Sequence, residues 1–314
     1  DAGQADNLTQ ANALNITGEH NRVDFMGSTL KGNIYSTAKD NTVNLTNGTL
    51  TGNAGSGDGQ LTLALNGSTW TGASGKHSPD VSLSNNSVWN VKAFGDADDD
   101  DTAPAGVTGP YSSVRALSLY GNNTINLVSS EGQAQLGGHG FAGSASAVTL
   151  HVGNDLFSDG RGVTSVLAGT YSPDNLHSLT NTGLAGDYKF GTLKADGLAL
   201  GGQYRLSVES AGAEPYTVGG RLADRADATS AHDFVSYKTS ESRVVTGKDG
   251  QAVTQTVTSD ADFTSLSAPA ELGVYQYAAE KVMDGVNNRT NIYYRSTGQL
   301  SNSAATVVSL AAAP

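Results

Sequence analysis

The sequence contains no cysteine among its 314 residues, which excludes disulfides, thiol nucleophiles and thiolate metal sites. Charged residues are also scarce, at 15%, whereas soluble proteins usually carry about 25%. No segment approaches the roughly 20 apolar residues that a membrane-spanning helix needs. The first residues, DAGQADNLTQ, lack the basic and apolar regions of a signal peptide. We therefore expect any export signal or membrane anchor to lie outside this chain.

The composition also narrows the fold class and the partners. The 39 glycines and the low charge disfavour a helical bundle or a coiled coil, and the apolar fraction of 37% indicates a thin, repetitive core. Lys and Arg total 18 against 30 Asp and Glu, which gives a net charge of −12. Because this charge repels phosphate backbones and anionic lipids, nucleic acid is not an expected partner.

One pattern recurs between residues 15 and 130. Alternating apolar and polar residues are followed by a turn rich in Asn, Gly and Ser, and then by a large apolar residue. The copies are RVDFMGSTLKG, TVNLTNGTLTG, LTLALNGSTWTG, DVSLSNNSVWNV and ALSLYGNNTINL. Each copy predicts a strand, a corner and a second strand.

Two columns of residues keep register through these repeats. The first apolar position steps by 20, 20, 18 and 36 residues, the last step containing an insertion or an extra turn, at Val23, Val43, Leu63, Val81 and Leu117. The large residue after the corner falls at Leu30, Leu50, Trp70, Trp89 and Ile125. A period near 20 with short strands is typical of a solenoid. We predict an all-β, right-handed parallel β-helix with the second column inside it.

The corners are rich in Asn and Gly, which tolerate left-handed backbone conformations. We expect the corner asparagines to form a polar edge along the solenoid, available for self-association or a ligand, at Asn47, Asn66, Asn85 and Asn122.

The period breaks at an acidic segment near residues 94–111, which contains two prolines and predicts a loop that leaves the solenoid. Carboxylates on such a loop suit a hard cation. The calcium candidates are Asp96, Asp98, Asp99, Asp100 and Asp101, but their spacing lacks the EF-hand glycine and distal glutamate. A solvated acidic loop without metal is the preferred interpretation.

From about residue 185 the repeats fade, and eight of the twelve tyrosines follow. The Gly247–Gly250 segment, between two valine-containing runs, predicts a hairpin turn. We therefore divide the chain into β-helix repeats over residues 1–184 and a hairpin-rich C-terminal cap over residues 185–314.

The order of these segments resembles the passenger domains of Gram-negative autotransporters of the adhesin type. In that family, repeats like LTLALNGSTWTG precede a C-terminal autochaperone region, whose elements match GGQYRLSVES, FVSYKT and GVYQY here. The matching positions are Leu206, Val208, Phe234, Tyr275 and Tyr277. The resemblance implies a cell-surface location on a Gram-negative bacterium, tethered by a membrane barrel that is not part of this chain. It also implies that the cap helps the repeats to fold.

Catalytic motifs are weak. Some parallel β-helices cleave pectin with paired aspartates and a Gly-His-Gly segment, and here Asp98–Asp101 and Gly138–Gly140 are the corresponding candidates. The neighbouring motifs Asn-Thr-Asp and Arg-Ile-Lys are missing, as are Gly-x-Ser-x-Gly and any metal-ligand spacing of histidines. We expect no enzymatic activity and no cofactor.

The leading hypothesis is adhesion, in which identical rods on neighbouring cells associate laterally and promote aggregation and biofilm formation. A solenoid multiplies one weak contact by its number of turns, so many polar contacts add by avidity. A second hypothesis is an adhesin that binds a host matrix protein or glycan. A third is an enzyme that acts on polysaccharides.

Overall fold

The computed structural model describes residues 12–56, 61–75, 79–93, 103–107, 110–128, 148–173, 186–210, 232–272 and 275–300. These residues form strands and turns, with no helix among them. In the first half, the strands are β1 (Asn12–Ile16), β2 (Arg22–Met26), β3 (Thr29–Lys31), β4 (Asn33–Ser36), β5 (Asn41–Thr46), β6 (Thr49–Thr51), β7 (Ala54–Ser56), β8 (Leu61–Asn66), β9 (Thr69–Gly72), β10 (Asp80–Ser84), β11 (Ser87–Val91), β12 (Tyr111–Val114), β13 (Ala116–Tyr120) and β14 (Asn123–Asn126). In the second half, they are β15 (Thr149–Val152), β16 (Leu156–Ser158), β17 (Val163–Pro173), β18 (Gly186–Phe190), β19 (Thr192–Leu200), β20 (Gln203–Ser210), β21 (Val235–Lys238), β22 (Ser240–Thr246), β23 (Ala252–Thr258), β24 (Ala270–Leu272), β25 (Tyr275–Asp284) and β26 (Arg289–Leu300).

Most strands pair in parallel with the equivalent strand of the next repeat, so the protein is all-β with largely parallel sheets. We call one repeat a rung. The first stack of strands is β2-β5-β8-β10-β13-β16-β19, and the second is β3-β6-β9-β11-β14-β17-β20. A third, shorter stack contains β1-β4-β7, and β12-β15-β19 form a similar parallel set further along. Each rung thereby satisfies its backbone groups through its neighbours.

The column of large residues after the corner lies in register in the second stack. Leu30 pairs with Leu50, Leu50 with Trp70, Trp70 with Trp89, and Trp89 with Ile125. All but Leu30, which is partly buried, are at most 1% exposed. The two indole rings stack with centroids 4.3 Å apart. The column therefore forms part of the hydrophobic core.

Glycines at the ends of the individual strands of this stack allow the indoles to reach the backbone of the neighbouring rung. Trp70 Nε1 donates to the Gly52 carbonyl at 2.8 Å, and Trp89 Nε1 donates to that of Gly72 at 3.0 Å. A Cβ at Gly72 would lie 1.8 Å from the Gly52 carbonyl oxygen, so a side chain does not fit there. The recurring glycine after the second strand thus permits close stacking of the rungs.

The longest step in the repeat, between Val81 and Leu117, contains no extra turn of the first stack. Strand β10 pairs directly with β13, with Val81 opposite Leu117. The additional residues lie in sequence between β11 and β12, and the aspartates of the acidic segment are outside the described residues.

The parallel pairing continues beyond residue 185, because β20 pairs in parallel with β17, and β19 with β15, β16 and β21. After β21 the direction changes: β21, β26, β25 and β24 pair antiparallel in that order. Strands β22 and β23 form a hairpin whose turn is closed by Gly250 N donating to the Gly247 carbonyl at 2.9 Å. The stack thus ends against an antiparallel, hairpin-rich region.

Candidate functional site

The corner between the first and second stacks repeats one backbone conformation. Its first residue has a positive φ in successive rungs: Gly27 (59°), Asn47 (51°), Gly67 (58°), Asn85 (54°) and Gly121 (66°). Glycine and asparagine are the residues that adopt this left-handed region most readily. The backbone geometry of the corner therefore accounts for the Asn and Gly enrichment seen in the sequence.

The four asparagines predicted to form an edge are all exposed, but they occupy different positions in the corner. Asn47 and Asn85 have the left-handed conformation, Asn66 ends β8, and Asn122 follows Gly121. Asn85 Nδ2 donates to Asn66 Oδ1 at 2.8 Å. Asn122 Oδ1 accepts from Val163 N, also at 2.8 Å. The four residues lie at successive corners, which we call the Asn edge, but they do not form a single stack of side chains.

Beyond the Asn edge, the second stack presents a face of hydroxyl and amide groups. Its two outward columns follow from the strand register: Thr49, Thr69, Val88, Thr124 and Ser165 in one, and Thr51, Thr71, Asn90, Asn126 and Leu167 in the other. We call this surface the Thr/Asn face. Asn90 Nδ2 donates to Thr71 Oγ1 at 3.1 Å, and Asn126 Nδ2 donates to Asn90 Oδ1 at 2.6 Å.

The Thr/Asn face is uncharged over these rungs. Lys31 pairs with Thr51 at one end and Arg205 with Ser165 at the other, so the charges lie at its ends. The sequence signal for this face is the Thr-x-Thr pattern around the core residue in two of the five repeats, TLT and TWT. This face was not predicted, because the apolar columns and the corner asparagines occupy other positions of each rung.

The outward face of the first stack differs, because it carries charges. Arg22 Nε lies 3.1 Å from Asp24 Oδ1, and Arg115 forms an ion pair with Asp80. The Asn44 amide donates to Asp24 Oδ1 at 2.6 Å and lowers the pKa of that carboxyl. The two stacks therefore offer different surfaces to a partner.

Three side chains on consecutive rungs form a hydrogen-bonded chain of a hydroxyl, an imidazole and a carboxylate, which the sequence did not reveal. Ser113 Oγ lies 2.9 Å from His151 Nδ1, and His151 Nε2 lies 2.7 Å from Asp196 Oδ2. Residues more than 35 positions apart meet here because β12, β15 and β19 stack in parallel. Ser113 and His151 are only 3% and 5% exposed. Because a nucleophile must reach its substrate, this burial favours a structural role, in which the three groups satisfy each other's hydrogen bonds.

The predicted calcium candidates, Asp96 and Asp98–Asp101, lie outside the described residues, and so does the Gly138–Gly140 segment. Among the residues that are described, no group of three or more His, Asp or Glu side chains is arranged to hold a metal ion. No helix of sufficient length and apolarity to span a membrane occurs in the same part of the chain.

The residues matched to the autochaperone region lie where the second stack meets the antiparallel strands. Leu206, Val208, Phe234 and Tyr277 are all less than 9% exposed, and the Tyr275 backbone pairs with Leu272 and Leu300. The Phe234 ring packs edge-on against Tyr294, whose hydroxyl donates to the Leu206 carbonyl at 3.0 Å. These contacts join β20, the last strand of the second stack, to the antiparallel region.

Comparison with known proteins adds no relative. No protein-family model matches this chain, no curated protein matches its sequence, and no solved structure matches its fold.

Proposed function

We propose that the stacked rungs form a right-handed parallel β-helix, and that the chain is the passenger domain of an autotransporter adhesin displayed on a Gram-negative cell. Its function is adhesion: identical copies on neighbouring cells associate laterally, which produces aggregation and biofilm. The parallel stacks and the segment order of the cap support this proposal. The contact surface is the Asn edge together with the adjoining Thr/Asn face.

The observation that carries the proposal is the uncharged Thr/Asn face on a chain with a net charge of −12. Two copies of such a chain repel each other over most of their surfaces. A surface of hydroxyl and amide groups avoids this repulsion and still supplies hydrogen-bond donors and acceptors. Successive rungs lie about 4.8 Å apart, so one favourable contact recurs at each rung. Weak contacts then add to a useful affinity.

Sedimentation velocity over a range of protein concentrations tests the self-association. The wild-type chain should dimerise, and cells that display it should aggregate. Asn90→Lys introduces a charge into the centre of the Thr/Asn face and should abolish both behaviours. A matched control is Thr62→Lys, which places the same charge on the outward face of the first stack. Circular dichroism melting of both variants checks that they remain folded.

Two results would refute the proposal. One is a wild-type chain that stays monomeric in solution and does not cause aggregation when displayed. The other is dimerisation that Asn90→Lys and Thr62→Lys reduce equally, since the Thr/Asn face would then have no special role.

A further inference from the structure

A polar groove lies at one end of the Thr/Asn face, where the corner becomes longer. The preceding corners contain two residues between their strands, whereas four, Asp159–Gly162, separate β16 from β17. Gly162 passes close to the preceding corner: a Cβ there would lie 2.3 Å from the Gly121 carbonyl carbon. The groove has a volume of about 350 Å³, within the range of small-molecule sites. Its lining includes Asn86, Asn122, Thr124, Val163, Ser165 and Arg205.

Several polar groups in this groove have no partner within the described part of the chain. The side chains of Asn86, Thr124 and Ser165 make no hydrogen bond there. Asn122 uses its Oδ1 to accept from Val163 N at 2.8 Å, which fixes the amide and leaves its Nδ2 free to donate. The groove therefore offers a set of donors and acceptors held by rigid strands and corners.

Arg205 provides the only charge in the groove lining. It is exposed, and no carboxylate pairs with it among the described residues. The register places it one rung from Ser165 and two rungs from Thr124, in the same outward column. A guanidinium binds a carboxylate through two parallel hydrogen bonds, and neighbouring amides and hydroxyls can bind sugar hydroxyl groups.

We propose that this groove binds a carboxylated saccharide, with Arg205 on the carboxylate and with Asn86, Asn122 and Ser165 on the hydroxyl groups. The single guanidinium and the net charge of −12 disfavour polyanions of high charge density, such as sulfated chains. The lining contains no aromatic ring on which a sugar could stack, so a single site should bind weakly, with Kd of about 1 mM or higher. Binding by displayed copies then depends on avidity.

Saturation-transfer NMR and chemical-shift titration test this site at a concentration at which the protein is monomeric. The probes are trigalacturonate and sialyllactose as two sources of a saccharide carboxylate, and lactose as a neutral control. At least one carboxylated probe should bind, and lactose should not. Arg205→Gln should weaken that binding at least tenfold, while Arg205→Lys should retain part of it because the charge remains.

Lys248→Gln is the matched control, since it removes the same charge from the exposed tip of the β22–β23 hairpin. Binding unchanged by Arg205→Gln, equal losses in the two Gln variants, or equal binding of lactose would each overturn the proposal. So would the absence of binding by both carboxylated probes. None of these results depends on the Asn90→Lys experiment, because the site does not require self-association.

Discussion

The rungs and the cap differ in how the backbone N–H and C=O groups of their strands find hydrogen-bond partners. In the rungs, each strand pairs in parallel with an equivalent strand, and the core is a narrow column of aliphatic residues and two indoles. In the cap, residues 185–314, the strands after β21 pair antiparallel, and aromatic rings supply much of the core: Tyr204 of the parallel strand β20 stacks on Phe263 with centroids 4.1 Å apart. A regular stack can add further rungs at its open edge, whereas the antiparallel region cannot extend in this way.

The two ends of the stack differ in how deeply their apolar residues are buried. In the first described rung, Val23, Phe25 and Leu30 are only partly buried. At the other end, Leu206 and Tyr294 are almost completely buried against each other. Because an uncovered strand edge is a site for uncontrolled pairing, the covered C-terminal end is suited to limit the stack.

The largest expected effect comes from removing an indole from the rungs. Trp70→Ala should reduce the free energy of unfolding by roughly 3–5 kcal/mol, because it leaves a cavity beside Trp89 and removes the hydrogen bond to the Gly52 carbonyl. Urea denaturation followed by circular dichroism measures the loss. A change within about 0.5 kcal/mol, the range of ordinary surface substitutions, would contradict the placement of Trp70 in the core.

This column was predictable because stacked parallel strands repeat the side-chain pattern of the sequence at fixed spacing. Equal steps in sequence become equal positions in space, so Leu50, Trp70 and Trp89 could be aligned without a structure. The cap has no such repeat. The contact between Tyr294 and Leu206 joins residues 88 positions apart, and no local pattern encodes it.

The cap gives the second prediction, which tests whether it nucleates the rungs. Tyr277 is fully buried, and the double substitution Tyr275→Ser and Tyr277→Ser should cost roughly 3 kcal/mol and slow refolding of the whole chain. Stopped-flow refolding and limited proteolysis of the rungs measure the effect. Tyr120→Ser, at a position that is 42% exposed, is the control and should change neither.

A truncated chain that ends at residue 184 provides a second test of whether the cap nucleates the rungs. If it refolds as fast and as completely as the full chain, the cap does not nucleate the rungs. Slow or incomplete refolding of this truncated chain is the expected result.

The third prediction concerns the contact between the cap hairpin and the rungs. Arg243 donates to both carboxylate oxygens of Asp155, at 2.7 and 2.6 Å. Burial acts to raise the pKa of Asp155, but the hydrogen bonds from Arg243 and from Leu198 N outweigh it and lower that pKa. Arg243→Gln should cost about 1–2 kcal/mol, since the pair is partly exposed. In this variant, hydrogen exchange of the β22 and β23 amides should become faster, while exchange in the rungs should stay as in the wild type. An equal increase in exchange rate in both regions would contradict this prediction.

The candidate sites were predictable only in part. Within the Asn edge, the corner conformation restricts the residue type at Asn47 and Asn85, whereas Asn66 and Asn122 lie beside that position. The chain formed by Ser113, His151 and Asp196 was not predictable, because its members lie 38 and 45 positions apart in the sequence and no local pattern links them. The groove at Arg205 likewise depends on a corner of four residues, whose shape does not follow from composition.

The fourth prediction compares residue types at one corner. Asn47 has a φ of 51°, so Asn47→Ala should cost about 1 kcal/mol, whereas Asn47→Gly should be close to neutral. Thermal denaturation of the two variants measures the difference. Equal melting temperatures would show that side-chain contacts, and not the backbone conformation, select asparagine at this corner.

The smallest expected effect is a pH dependence of stability that arises at His232 in the cap. Burial lowers the pKa of His232 below 6.5, and its Nε2 lies 2.9 Å from the Gly191 carbonyl oxygen, so the neutral imidazole donates there. As the pH falls below about 6.5, the unfolded chain binds a proton at His232 more readily than the folded chain does, and stability therefore decreases. Urea midpoints at pH 7.5 and 5.5 should differ more for the wild type than for His232→Gln, which keeps a donor but does not titrate. Because Asp262 in the cap has its pKa lowered to about 2, by hydrogen bonds from Ser265 and Thr264 that outweigh its burial, it does not titrate in this interval. An identical midpoint shift in the two proteins would mean that other histidines, and not the contact of His232 with Gly191, govern the acid response.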